Sequence, residues 1–487
     1  MPATFLGHPR GLATLFFTEM WERFTYYGMR AVLVLFLVAQ VSSGGFGIDD
    51  KTATAIYGLY TAGAYLSALP GGWIADRLTG ARTAALLGGV CIAGGNFLLA
   101  GAGSPSFFYI GLIVIILGVG LLKPNVSAMV AALYPEGGAR LDAGFTVFYM
   151  GINLGGFLGP LITAFAQEHF GQRAAFLAAG LFMALGVVQY WFTQHHLGDA
   201  GLKPAAVQTK KPWAAFGIAV CLGLAAIAAC WLGFIPLNPV NLAETTLISI
   251  SSVAVLYFIY LFTAAGLDAE EKKRAAVIVV LFLGSVGFWV GYEQAGSSLN
   301  LFADRYTDRA MDFIHFVIPT GWLQSVNSLF VILFAPVVAW VWVALARRNL
   351  NPSAPAKFAL GLIFMGSGFL VMALAAALVA HGQKVLPTWL CLTYLMHTFG
   401  ELCLSPVGLS YTMKLAPKRL AGQMMGLFFL SLSIGNIMAG LVAGEFDTHN
   451  VAAMPGQYMH IFYFSVGLGV VLLALSRPVK KLMGDIT

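Results

Sequence analysis

Apolar runs of twenty or more residues recur along nearly the whole of this 487-residue chain. Each is long enough to cross the ~30 Å hydrocarbon core of a bilayer as a helix. Composition agrees: 59% of residues are hydrophobic and only 10% are charged, where an ordinary soluble domain carries about 25% charged residues. A soluble globular enzyme, a disordered protein and a nucleic-acid binder are excluded. The net charge of +6 sits in short loops between apolar spans, so it reports orientation and not a polyanionic partner.

Fourteen spans are expected, near 14–40, 52–76, 82–102, 107–133, 141–167, 174–194, 213–235, 244–266, 275–300, 319–346, 357–380, 387–414, 420–444 and 457–476. With both termini in the cytoplasm, 19 Lys and Arg fall in inside segments, Arg82, Lys272, Lys273, Arg274, Arg347 and Lys480 among them. Only five fall outside, namely Lys51, Arg173, Arg305, Arg309 and Lys384. That asymmetry predicts cytoplasmic termini. Residues Met1 to Arg10 show no signal-peptide core or cleavage site, so the first span is expected to stay in the mature protein. Cys91, Cys221, Cys230, Cys391 and Cys403 all lie in apolar segments and imply neither a disulfide framework nor a metal site.

Sliding the chain by 282 positions places Gly118, Pro124, Pro135 and Gly144 on Gly400, Pro406, Pro417 and Gly426. Two related halves follow. The expected fold is an all-α integral membrane protein with a six-helix bundle in 1–200, a linker in 201–270 carrying two extra spans, and a second six-helix bundle in 271–487. The extra pair holds no basic residue and a single acid, Glu244, so it is expected to pack against lipid. Transporters are commonly built from such repeats, with the substrate held near the midplane between them.

The first span breaks the apolar rule. Glu19, Glu22, Arg23, Tyr26, Tyr27 and Arg30 recur at the spacing of one helical face. A lone charge at the bilayer centre costs ~2.5–3.5 kcal/mol even on the lenient insertion scale. Four on one helix therefore face a wet cavity or opposite charges; ion pairs that merely lock helices together are the structural alternative, and they leave the clustered tyrosines unexplained. Lys123, Glu293 and Glu401 add charges in later spans, and Pro124 and Pro406 favour kinks beside two of them. Four acids against three bases leave the group able to take up and release a proton as a unit. His397, one turn before Glu401, has either a coupling role or a solvated place at the outer end of its span, the latter being favoured.

The run Glu19-x-x-Glu22-Arg23-Phe24-x-Tyr26-Tyr27-Gly28 resembles the signature of the proton-coupled oligopeptide transporter family, a branch of the major facilitator superfamily. Phe148 through Gly155 resembles that family's fifth-span motif, and Gly400-Glu401-Leu402 with Ser405-Pro406 its tenth-span motif. The loop from Gly72 to Arg82 resembles the superfamily's motif after span two. The resemblance covers essentially the whole chain, the extra helix pair of bacterial members included. It implies a symporter of the bacterial inner membrane that imports di- and tripeptides with protons, without cofactor or metal, and works as a monomer among membrane lipids. Residue by residue, it implies that Arg23 and Lys123, with Arg30 and Tyr27 nearby, attract the peptide carboxylate. Glu401, Asn153 and Asn327 meet the amino terminus, and Tyr26 and Tyr65 line the pocket. Glu19, Glu22, Arg23 and Glu293 carry the proton, while Arg30 with Glu293 and Lys123 with Glu401 form exchangeable bridges between the halves.

The sequence departs from the family pattern in places. Phe428 stands where many members carry a span-eleven tryptophan, and Gly58 where animal relatives carry a proton-linked histidine, which agrees with carboxylate coupling. Asp50 and Arg305 are the nearest candidates for a charge-swapped outer pair. Relatives that move nitrate or other small solutes supply the alternative cargo, though Glu401 beside a cationic pocket argues for a group positive at one end. A hydrolase lacks a nucleophile with a base, since Ser405 has no histidine partner nearby in sequence. A channel would show filter segments or charge rings repeated between subunits.

Overall fold

A computed structural model describes residues 4–204, 210–234, 238–312, 315–446 and 450–484. Hydrocarbon offers peptide groups no partner, so the apolar segments satisfy their own backbones as helices. Among the described residues, eleven helices are long and apolar enough to cross a membrane. The chain divides by packing into two compact units, one of Met1–Gly47 and Gly63–Leu242, the other of Ile48–Ala62 and Ala243–Thr487.

In the first unit, a two-residue hairpin pairs Thr4–Phe5 with His8–Pro9 and leads into α1 (Arg10–Val38). The expected single span 52–76 is instead two helices, α2 (Asp50–Leu66) and α3 (Ala68–Ile74). Pro70, inside α3, has no amide to give the Leu66 carbonyl, and the helix breaks at Ser67. α2 is shared: its residues to Ala62 belong to the second unit, and Gly63 onward to the first. A π-helical turn, Ala75–Thr79, then leads to α4 (Ala81–Gly101), α5 (Pro105–Ala132), α6 (Gly138–Phe170) and α7 (Ala174–Thr193). Arg82, in the loop motif, donates through Nε to the Ala200 carbonyl at 2.8 Å and through Nη2 to Gly198, pinning the start of α4 to the end of the bundle.

The extra pair is α8 (Lys210–Trp231) and α9 (Pro239–Thr263). In its most apolar windows 0% and 11% of the residues are buried. Residues 205–209 and 235–237 of the expected linker lie outside the described residues.

In the second unit, α10 (Ala269–Tyr292) starts six residues before the expected 275. A capping box starts it there: Glu271 N donates to Asp268 Oδ1 at 2.7 Å and Asp268 N to Glu271 Oε2 at 3.2 Å. The expected span 275–300 is interrupted by a 3-10 turn at Glu293–Gly296 and resumes as α11 (Ser298–Tyr306). After a hairpin pairing Ala310–Met311 with Phe316–Val317 come α12 (Trp322–Arg347), α13 (Ala354–Ala380), α14 (Thr388–Leu415), α15 (Ala421–Gly444), α16 (Met454–Ala474) and the short α17 (Ser476–Leu482). α5 and α14 continue as helix through Pro124 and Pro406.

The repeat read from sequence has a physical counterpart. A Cβ on Gly118 would meet the Gly88 carbonyl of α4 at 2.7 Å, and one on Gly400 the Gly361 carbonyl of α13 at the same distance. Matched glycines let α5 and α14 each close on the helix before it in sequence, where lipid supplies no hydrophobic drive and close backbone packing must hold the helices.

Candidate functional site

The four charges of α1 are buried in the first unit: Glu19 is 2% exposed, Glu22 1%, Arg23 4% and Arg30 4%. What seats them is a glycine stripe on α6. Gly151, Gly155 and Gly159, four residues apart, face Phe16, Met20 and Phe24 so closely that a Cβ on Gly155 would lie 2.9 Å from both Arg23 Cβ and Phe24 N. The fifth-span motif thus supplies a backbone groove for α1. Thr163 Oγ1 closes the seam by donating to the Gly28 carbonyl at 3.2 Å.

Within that seam Arg23 holds both acids. Its Nη2 donates to Glu22 Oε1 at 2.7 Å, its Nε donates to Glu22 Oε2, and Nε lies 3.3 Å from Glu19 Oε1. The tyrosines meet cations through their rings: Arg23 lies 4.9 Å from the Tyr26 centroid, Arg30 5.9 Å from Tyr27, and Lys123 3.9 Å from Tyr65. A ring face stabilises a desolvated cation by up to ~2 kcal/mol without neutralising it. Asn153 is buried on α6, where its Nδ2 donates to the Tyr149 carbonyl at 2.9 Å.

The second unit gathers Glu293, Glu401 and Asn327. Glu293 is 2% exposed at the break between α10 and α11, and it accepts from the Tyr57 hydroxyl at 2.8 Å. The Tyr292 hydroxyl lies 2.9 Å from Glu401 Oε2 and 3.0 Å from Asn327 Oδ1. Asn327 Nδ2 donates to Thr398 Oγ1 at 2.9 Å. Tyr57, Tyr292 and Thr398 were not singled out from sequence; a tyrosine beside an intramembrane acid, as in Tyr292-Glu293, was the signal available for one of them.

At one end of the same unit, Arg305 Nη1 and Nη2 donate to Asp50 Oδ2 and Oδ1 at 2.6 and 2.7 Å. The pair expected only by loose alignment is a two-pronged bridge. Beside it α2 runs against α15: a Cβ on Gly58 would meet the Asn436 carbonyl at 3.1 Å and Gly440 Cα at 3.2 Å. Phe428 of α15 packs near Gly408, whose Cβ would meet its ring at 2.9 Å. The favoured placement of His397 is corrected. It is 1% exposed, not solvated, because α14 begins well before it at Thr388 and Gly368 of α13 leaves room for its ring beside Phe369.

Residues 82–472 match the family described as the POT family. The chain is 39% identical over 497 residues to the peptide transporter YePEPT of Yersinia enterocolitica, covering 99% of this chain and 96% of that one. It is 34% identical over 493 residues to a di-/tripeptide transporter of Lactococcus lactis, covering 99% and 98%. A crystal structure of a peptide transporter POT in complex with sulfate superposes with a TM-score of 0.92 at 38% identity, covering 99% of this chain and 97% of that one.

Proposed function

Because this chain belongs to the POT family, we propose that it is a proton-coupled symporter importing di- and tripeptides by alternating access. It has fourteen spans, arranged as bundles 1–200 and 271–487 with the extra pair between, and lies in the bacterial inner membrane with both termini in the cytoplasm. The observation that carries the proposal is the partition of intramembrane charge. Arg23, Arg30 and Lys123 belong to one unit, where Glu19 and Glu22 both lie on Arg23, and Glu293 and Glu401, each beside a tyrosine hydroxyl, belong to the other. A peptide at neutral pH is a zwitterion, and such a partition offers cations to its carboxylate and an anion to its amino group.

On this reading Arg23, Lys123 and Arg30 with Tyr26, Tyr27 and Tyr65 take the carboxyl end, and Glu401 with Asn327 and Asn153 the amino end. Glu19, Glu22, Arg23 and Glu293 pass the proton. Substrate shifts the balance of states only through differential affinity, which exchange of Arg30 with Glu293 and of Lys123 with Glu401 supplies. No cofactor enters, and one chain suffices. The test is dipeptide uptake into liposomes with and without an imposed pH difference. Glu22→Gln is expected to abolish uphill uptake while sparing peptide counterflow. A Glu22→Gln protein that still concentrates peptide removes this residue from the relay.

A further inference from the structure

One side of the extra helix α9 bounds a cleft. Ser251, Ala254, Val255, Phe258, Ile259, Phe262 and Thr263 follow one another at helical spacing on a single face, opposite Val279, Phe282, Leu283 and Val286 of α10, with Ile434 of α15 beside them. The cleft is open along one side and offers a volume of about 560 Å³. Phe258 meets Phe282 edge-on at 5.3 Å, and Ala254, Phe282 and Ile434 are buried, whereas Val255, Ile259 and Leu283 on the walls are more than half exposed. From Ser251 to Thr263 the cleft runs for roughly 18 Å at 1.5 Å per residue, close to the ~15 Å depth of one leaflet of a ~30 Å core. At the end where α9 turns into α10 the cations are not equivalent. Lys273 is held by Glu270 at 2.8 Å and Arg419 by Glu271 at 3.2 Å, and Asp268 caps α10. Lys272 is exposed and has no ion pair among the described residues. It stands seven, eleven and fourteen residues before Val279, Leu283 and Val286, on the stripe of α10 that lines the cleft.

We propose that the cleft between α9, α10 and α15 is a binding site for one anionic glycerophospholipid, with an acyl chain lying along Phe258 and Phe282 and the phosphate at Lys272. Its depth matches one leaflet, its lining is apolar, and its mouth carries an uncommitted cation at headgroup level. That combination favours a negatively charged lipid over a zwitterionic one, whose ammonium gains nothing from Lys272. α9, which buries little protein surface of its own, is then held to α10 and α15 partly through lipid. This inference stands apart from peptide transport, since none of these residues belongs to the proposed peptide or proton path.

The test uses the full chain in detergent, with native mass spectrometry of lipid retained after addition of palmitoyl-oleoyl phosphatidylglycerol or phosphatidylethanolamine. One tightly retained phosphatidylglycerol is expected, at least fivefold preferred, the worth of a single basic residue near an anionic surface. Lys272→Gln is expected to erase the preference while leaving the melting temperature in detergent and dipeptide uptake in neutral liposomes unchanged. Val255→Trp, which fills the cleft, is expected to lower retention of both lipids. Equal retention of the two lipids by the unaltered chain, an unchanged preference in Lys272→Gln, or full retention in a folded Val255→Trp overturns the proposal. Loss of peptide uptake in Glu22→Gln bears on the transport reading alone.

Discussion

The seat of α1 on α6 makes a quantitative prediction at Gly155. A Cβ placed there lies 2.9 Å from Arg23 Cβ and 2.9 Å from Phe24 N, and meets the Met20 carbonyl as well, where ordinary contact begins at 3.4 Å. Two of these neighbours are backbone, so no side chain can swing aside, and the helices must part by about half an ångström or more. Overpacking of this kind costs ~1–3 kcal/mol, offset by the ~1 kcal/mol that alanine gains over glycine in a helix. Gly155→Ala is therefore expected to lower stability by about 1 kcal/mol, and Gly155→Val, with two more methyl groups and no such gain, by about 3 kcal/mol or more. Gly94, on α4, has nothing within 4 Å of its added Cβ, and Gly94→Ala is the control, neutral or slightly stabilising.

The same displacement carries functional weight because Arg23 rides on the segment that moves. Misplacing a positioned group by ~1 Å costs up to ~10²-fold, so dipeptide uptake in Gly155→Ala is expected to fall several-fold while most of the protein remains folded. Thermal melting in detergent and uptake into liposomes, measured on the same preparations, separate the two effects. A Gly155→Val protein that melts and transports like the unaltered chain would refute the claim that the α6 glycines position the α1 charges.

Three further outcomes follow from the geometry. Glu401→Gln removes the anion beside Tyr292 and Asn327 and is expected to weaken dipeptide uptake tenfold or more, whereas unchanged uptake contradicts the assigned polarity. Asp50→Asn breaks the two-pronged bridge to Arg305, whose side chains are 17% and 29% exposed, for an expected loss of about 2 kcal/mol, between the surface and buried ranges. The double exchange Asp50→Arg with Arg305→Asp should recover most of it, and a double exchange no better than the single change removes the bridge as the cause. Gly58→His is expected to yield little folded protein, because its Cβ would press on the backbone of α15 at Asn436 and Gly440; a stable Gly58→His protein would show that α2 can withdraw there without cost.

The charges of α1 were legible because burying them in lipid has no cheap explanation, so their spacing alone brought Glu19, Glu22, Arg23 and Arg30 to one helix face. Helix ends were less legible. α10 opens in a charged turn through the Asp268 and Glu271 capping box, which hydropathy counts against a span, and after its break at Glu293–Gly296 the chain resumes as a helix, Ser298–Tyr306, whose Ser298, Asn300, Asp304 and Arg305 hydropathy does not assign to a span. Tyr57 and Tyr292 were missed for another reason. Their acid partners lie 236 and 109 residues away, and a tyrosine inside a span is tolerated whether or not it meets a carboxylate. The burial of His397 is not legible because what encloses its ring, Gly368 with Phe369, lies on another helix.

The residues missed change the chemistry of those that were found. Arginine beside a carboxylate fixes its position and cancels its charge, as Arg23 does to Glu22. A phenol does only the first: Tyr57 at Glu293 and Tyr292 at Glu401 donate a hydrogen bond while leaving the net charge of the carboxylate intact. Hydrogen bonds to a charged group stabilise by about 1.5–3 kcal/mol, enough to hold a rotamer in a desolvated site. The first unit sets Glu19 and Glu22 on Arg23, and Arg30 and Lys123 lie against the faces of Tyr27 and Tyr65. The tyrosines that flank the acids and bases are as much a part of that arrangement as the charges themselves.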